Sequence, residues 1–167
     1  TKTKLGDGAS QLAQGGIAAV SSTNQSDSFD SHIDDTIKAG AGLCNKEVVE
    51  YCVKNGPSAI QSLLDAGVSF SLREFLESTE YDLTKEGGHS HRRVYHSGDM
   101  TGESMISSLT NKVRSSDNIK IYENHTSINL ITDDDGTVIG VYVLDNSTKQ
   151  VKTFVSNAVV LATGGAG

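Results

Sequence analysis

Apolar positions along the chain fall into local periods, and each period predicts an element. Over Asp30 to Ala39, Ile33 and Ile37 recur one helical turn apart, with Asp34 and Asp35 in the early turns where the helix dipole favours negative charge. Gly40-Ala-Gly42 ends that helix. Asn45 is a suitable cap for a second helix, whose Val48, Val49, Cys52 and Val53 make an apolar stripe. Gly56-Pro57 is expected to interrupt it, and Ser58 to Ala66 to resume with Ile60, Leu63 and Leu64 until Gly67. Val68 to Leu72 reads as a short strand. Asp99-Met-Thr101 offers caps for a third helix ending near Arg114, with Met105, Ile106, Leu109 and Val113 on one face.

Beyond the third helix the period shortens to two. Ile119 to Tyr122 predicts a strand. Ser127 to Thr132 and Val138 to Leu144 alternate apolar and polar residues around Asp133-Asp-Asp-Gly136, which is a hairpin signal. After a turn at Asp145 to Thr148, Val151 to Val155 adds a third strand. The continuous run Ala158-Val-Val-Leu-Ala162 has the composition of a strand covered on both faces. By contrast, Thr1 to Val20 shows no sustained period and reads as an ordered coil, followed by a polar surface loop from Ser21 to Ser28.

Composition narrows the function classes. The chain of 167 residues carries 21 acidic and 14 basic side chains, a net charge of −7, which disfavours binding to phosphate backbones. Nucleic acid is therefore not an expected partner. No apolar run reaches the roughly 18 to 20 residues that cross a bilayer, so neither is a membrane. With 5% aromatic residues and no Trp, the core must be aliphatic and thin. Cys44 and Cys52 show no motif spacing and read as buried free thiols of a reducing compartment. The Asn-x-Ser/Thr triplets at Asn24, Asn124 and Asn146 are attributed to chance in a chain rich in those residues. The abrupt beginning and the glycine-rich end, Thr163-Gly-Gly-Ala-Gly167, suggest a segment of a longer polypeptide.

Three segments have the makings of a site. In Ala13-Gln-Gly-Gly-Ile-Ala-Ala19, adjacent glycines permit the backbone to approach a flat or anionic ligand; a tight turn explains them equally well. Glu86-Gly-Gly-His-Ser-His-Arg-Arg93 offers the forked donors of Arg92 and Arg93 to carboxylates, or alternatively is a solvated basic loop. His89, His91 and His96 lack a carboxylate or thiol at a recognisable ligand spacing, so no metal is assigned. In Val159-Val-Leu-Ala-Thr-Gly-Gly165 a buried strand ends in small residues, where open α/β sheets place ligands. Neither Gly40-Ala-Gly42 nor Gly165-Ala-Gly167 satisfies the dinucleotide fingerprint.

In this order, these segments resemble the flavoprotein family of the aspartate oxidases and the flavoprotein subunits of succinate dehydrogenase and fumarate reductase. Asp30-Ser-His-Ile-Asp-Asp-Thr36, Ala39-Gly-Ala-Gly-Leu-Cys44 and Asp99-Met-Thr-Gly102 also fit it, and the likeness covers nearly the whole chain. The resemblance implies an α/β fold: a partial FAD/NAD(P)-binding Rossmann-like domain with a three-stranded antiparallel meander. Residues 1–167 would be its middle, with the first strand, glycine fingerprint and capping domain lying elsewhere. It implies that FAD contacts Lys2, then the segment Ala9, Ser10, Gln11, Leu12, Ala13, Gln14, Gly15 and Gly16, and finally Thr163 and Gly164.

Two positions distinguish among relatives. The succinate and fumarate enzymes join flavin covalently to a histidine near Ala9, whereas Gly8-Ala9-Ser10 has none, so noncovalent FAD is expected. At Glu86 the dicarboxylate enzymes tend to be apolar and the aspartate oxidases acidic; a carboxylate there can stabilise the ammonium that separates aspartate from succinate. Ala9-Ser10 departs from the Ser-Thr common in aspartate oxidases. The implied chemistry is oxidation of L-aspartate to iminoaspartate in de novo NAD biosynthesis, with oxygen or fumarate as acceptor, in the cytoplasm, and with quinolinate synthase as a candidate partner. The rival readings are a succinate or fumarate flavoprotein and a noncatalytic metal-binding module. The enzymatic reading requires the paired glycines and Glu86 to share a cleft.

Overall fold

Side-chain caps start the first two helices. Ser28 accepts from the amide of Ser31 to open α1 (Phe29–Ala39), and Asn45 accepts from Glu47 and Val48 to open α2 (Lys46–Asp65). The computed structural model describes residues 1–74 and 79–165 of the chain. These divide into two compact units, one of Thr1–Asp7 with the chain from Asp117 onward, the other of Gly8–Ser116.

Within the Gly8–Ser116 unit, α2 is one continuous helix with Pro57 inside it, not two separated at Gly56-Pro57. An interior proline removes one backbone hydrogen bond and costs about 3 kcal/mol. Burial of Val53 and Ile60 on either side offsets this, at about 1.5–3 kcal/mol for each fully buried aliphatic side chain. Gly56 allows the helix to close on Ala19, whose methyl would lie 3.3 Å from a Cβ at position 56. The helix ends where the glycine signal predicts: Gly67 has φ of +91°, its amide donates to the Leu64 carbonyl, and the Val68 amide donates to Leu63. The apolar stripe holds only in part, since Val53 is buried while Val48 and Cys52 are exposed.

Two small antiparallel sheets follow. β1 (Ile17–Ala18), β4 (Leu83–Thr84) and β5 (Val94–Tyr95) form a sheet in the order β1-β5-β4, and β2 (Leu72–Glu74) pairs with β3 (Thr79–Tyr81). The predicted strand at Val68 to Leu72 is displaced: Val68 and Phe70 are buried in the core, but ladder pairing begins only at Leu72. Ala19, Ile60, Val68, Phe70, Leu83 and Tyr95 make that core, with Met105 of α3 (Thr101–Arg114) packed against it. Phe70, Tyr81 and Tyr95 meet edge to face or tilted, with centroids 5.3–6.5 Å apart. No side chain caps α3; Thr101 instead accepts from the Ser97 amide through its hydroxyl.

The other unit contains the expected meander. β6 (His125–Thr132), β7 (Val138–Asp145) and β8 (Gln150–Val155) pair antiparallel in that order. Asp133 shapes the first turn by accepting from the amides of Asp135 and Thr137, and Gly136 takes φ of +81°. Val143 and Asp145 are buried, and Lys152 reaches the Asp145 carboxylate at 2.7 Å. Two predicted strands do not form. Ile119 to Tyr122 joins no ladder among the described residues; the Thr1 amine donates to the Tyr122 carbonyl, and the Tyr122 ring packs on Phe154 and His125. Ala158 to Ala162 pairs with no strand among the described residues, and Val160 is 87% exposed. An apolar run becomes a covered strand only where neighbouring strands accept its ladder. The mixture of helix and strand agrees with expectation, while every ladder among the described residues is antiparallel.

Candidate functional site

Gly8 leads into a single 3₁₀ turn, Ala9–Leu12, tied by the Gln11 amide on Gly8 and the Ala13 amide on Ser10. Its support comes from α3, where the Gly102 amide donates to the Ala13 carbonyl at 2.9 Å. A Cβ at Gly102 would overlap the Ser10 carbonyl and come within 2.9 Å of the Ala13 methyl. The segment is thus held on α3 through its carbonyls, while Ala9, Ser10, Leu12, Ala13, Gln14, Gly15 and Gly16 stay exposed and Gln11 half-buried. An ordered main chain with few bulky side chains is a surface that a planar ring can lie against.

The two adjacent glycines differ in what they face. A Cβ at Gly16 would overlap the Tyr95 carbonyl and Val94, so Gly16 answers to strand packing. A Cβ at Gly15 would stand 3.8 Å from Glu86 Oε1 and 3.9 Å from Oε2. Gln14, Gly15, Thr84, Lys85, Glu86, His96, Gly98 and Asp99 line one cleft of about 760 Å³. The acidic side chain and the paired-glycine segment therefore share a cleft, as the enzymatic reading requires.

Lys2, Thr163 and Gly164 belong to the other unit. Lys2 and Thr163 are exposed, and Gly164 has φ of +73°.

Arg93 is not available for the anion recognition that its residue type suggests, while Arg92 stays exposed. Arg92 donates from Nε to the Leu83 carbonyl at 2.7 Å. Arg93 is fully buried. Its Nε and Nη2 reach the two oxygens of Asp27 at 2.8 and 2.6 Å, and Nη1 reaches Asp35 at 2.7 Å. Ser31 Oγ lies 3.2 Å from Nη2 and His89 Nδ1 lies 3.4 Å from Nη1. A guanidinium has five N–H donors, and these acceptors occupy them all. The supposed surface loop Ser21 to Ser28 is correspondingly more than surface: Asp27 is withdrawn from solvent against Arg93, and Ser21 is buried.

This cluster perturbs its members. Burial pushes the carboxyl of Asp35 up, but the hydroxyl and amide of Ser90, followed by Arg93, outweigh it and leave the group well below the carboxylate range. Burial likewise opposes ionisation of Asp27, and the hydrogen bonds and charge of Arg93 reverse the sign. Burial, then the positive charge of Arg93, lower His32, whose Nδ1 is buried with no hydrogen-bond partner among the described residues. His89 stands beside it, ring centroids 5.6 Å apart.

His96 lines the cleft with Nδ1 at 3.3 Å from the Gly98 carbonyl, while its Nε2, 3.5 Å from Asp82, is buried with no hydrogen-bond partner among the described residues. Among the described residues, no group of three or more His, Cys, Asp or Glu side chains gathers around a possible metal position. Cys44 and Cys52 are free thiols, but not buried ones: Cys44 is half-buried and Cys52 exposed. No helix among the described residues is long and apolar enough to cross a membrane. Sequence reasoning missed the Asp27–Arg93–Asp35 cluster, because its partners come from distant segments and no local spacing announces them.

Comparison with known proteins gives a consistent picture. The family model described as the FAD binding domain matches residues 1–167. The chain is 46% identical to L-aspartate oxidase 1 of Ralstonia nicotianae over 172 residues, covering 100% of this chain and 32% of that protein. It is 46% identical to L-aspartate oxidase of Yersinia pestis over 173 residues, covering 99% of this chain and 32% of that protein. Among solved structures, the quinol fumarate reductase of E. coli superposes with a TM-score of 0.87 at 31% identity, covering 99% of this chain and 27% of that one. The chain spans about a third of the length of the curated relatives it matches.

Proposed function

The chain belongs to the FAD binding domain family, and from that premise we propose that it forms the flavin-side half of an L-aspartate oxidase active site. The observation that carries this reading is the cleft in which Glu86 faces the Gly15 main chain. The reaction is oxidation of L-aspartate to iminoaspartate: the α carbon loses a hydride, the C–N bond becomes C=N, and the nitrogen gives up a proton. When bound, FAD supplies the two-electron acceptor for that hydride, with oxygen or fumarate as the final oxidant.

The residues that would hold the cofactor are Lys2, Ala9, Ser10, Gln11, Leu12, Ala13, Gln14, Gly15, Gly16, Thr163 and Gly164. The exposed Ala9–Gly16 main chain, with its glycine opening onto the cleft, supports the fit. FAD binds noncovalently, since Gly8-Ala9-Ser10 offers no nucleophilic ring nitrogen. Glu86 orients the substrate: its carboxylate attracts the ammonium of aspartate and has no counterpart group to meet in succinate or fumarate. The product imine feeds de novo NAD biosynthesis in the cytoplasm, where quinolinate synthase is the proposed partner.

The test uses the full-length enzyme with Glu86→Gln. Loss of a charge-assisted contact should reduce kcat/KM for L-aspartate about tenfold or more while fumarate reduction changes little. Equal losses on both substrates would overturn the assignment of Glu86 to the amine.

A further inference from the structure

Glu86 sits at one end of a short loop whose other end is fastened to α1. The fastening begins at Asp35, a half-buried residue in the second turn of α1. Asp35 Oδ2 accepts from the Ser90 amide at 2.7 Å, and Oδ1 accepts from the Ser90 hydroxyl at 2.6 Å. The same Oδ2 accepts from Arg93 Nη1 at 2.7 Å. Arg93 also reaches back to Asp27 and Ser31, so the loop is tied to both the entry and the second turn of α1. Between this anchor and Glu86 lies one turn, closed by the His89 amide on the Glu86 carbonyl at 3.2 Å. Gly88 takes φ of +84° there, and a Cβ on it would lie 3.7 Å from the methyl of Ala39, the last residue of α1.

A turn of glycines has little stiffness of its own, because glycine loses more conformational freedom on ordering than any other residue. Its orientation must be imposed from its ends. On the Glu86 side, the chain leads directly from β4, and on the other side from the three bonds that Asp35 accepts. Charge-assisted bonds of this length are the strong class, and a buried guanidinium with every donor occupied has one geometry available.

We propose that Asp35, acting through Ser90 and Arg93, is a positioning residue that holds the Glu86 carboxylate toward the Gly15 side of the cleft and thereby sets the preference for an amine-bearing dicarboxylate. The inference rests on the proposed role of Glu86. Asp35 touches neither substrate nor cofactor in this scheme; its effect passes through the loop. It therefore alters how well the amine is met, and leaves the main chain at Ala9–Gly16 that would hold the flavin as it is.

The experiment is a double-mutant cycle in the full-length, flavin-loaded enzyme with Asp35→Asn, Glu86→Gln and their combination, plus Ser90→Ala as a milder break that keeps the Arg93–Asp35 charge pair. Asp35→Asn should raise KM for L-aspartate about tenfold, with kcat and fumarate reduction within about twofold, and Ser90→Ala should shift KM in the same direction by less. Added to Glu86→Gln, Asp35→Asn should have no further effect on aspartate. Hydrogen exchange provides a readout independent of turnover: the amides of residues 86–90 should exchange about tenfold faster in Asp35→Asn, with flavin content retained. If Glu86→Gln separates the two substrates but Asp35→Asn does not, or if the two effects simply add, the positioning role is overturned while the function stands. If Glu86→Gln itself fails to separate them, the functional reading falls first.

Discussion

Arg93 and Asp27 form a two-point ion pair from which solvent is excluded, Nε facing Oδ2 at 2.8 Å and Nη2 facing Oδ1 at 2.6 Å. Removing one member of such a pair strands the other in a poorly hydrated site, at a typical cost of about 3–5 kcal/mol. Arg93→Met should lower the free energy of unfolding by that amount, read from denaturant titration. Arg93→Lys should recover only part of it, since an ammonium cannot bridge Asp27 at two points and reach Asp35 as well. Wild-type stability in the lysine variant would refute the importance of the fork.

The same cluster sets an acid limit. Asp27 and Asp35 both ionise below the ordinary carboxyl value of 3.8 in the folded state, burial being outweighed by Ser90 and Arg93 at Asp35 and by Arg93 at Asp27. The unfolded chain takes up these protons first as pH falls, so their stabilisation is complete above about pH 4 and is lost as pH drops further toward the folded values. His32, pushed below 6.5 by burial and then by Arg93, resists charging in the fold and adds a gentler decline beginning under that value. Melting temperatures measured from pH 7 down to about pH 3 should show both limbs, and Asp35→Asn should flatten the steeper one.

Gly102 is where α3 meets the exposed turn of the site, and a methyl there would overlap the Ser10 carbonyl. Gly102→Ala should cost about 1–3 kcal/mol through overpacking and should displace residues 10–13. Flavin-to-protein ratio after purification of the full-length enzyme should fall with it. A variant that keeps both its stability and its flavin would show that α3 does not shape this surface.

The end of α2 offers a cleaner backbone test. Gly67 has φ of +91° and nothing within 4 Å of its missing Cβ, so Gly67→Ala introduces strain without a clash. A destabilisation of about 1 kcal/mol is expected, with no change in catalysis by the full-length enzyme. A loss much larger than that would point to a packing role for the position.

Local chemistry was legible in the sequence where a residue acts on its near neighbours. Asn45 caps α2, Gly67 closes it, and Asp133 with Gly136 turns the first hairpin of the meander, each through bonds spanning a few positions. Pairing between distant segments was not legible. Arg93 looks like a surface donor until Asp27 and Asp35 arrive from far up the chain. The run Ala158 to Ala162 carries the composition of a buried strand, yet composition cannot supply the neighbour that a ladder needs. The nearness of Glu86 to Gly15 was expected only because the ordered motifs resemble a flavoprotein family; neither spacing nor periodicity predicts it.

Neighbouring glycines at 15 and 16 have unequal freedom to evolve. Position 16 is locked by the carbonyl of Tyr95, whereas position 15 borders open space in front of a carboxylate. A side chain introduced at 15 would therefore stand against Glu86 on the bare main chain proposed to face the flavin, whereas one at 16 would break the strand packing underneath, so the two positions would fail in different ways.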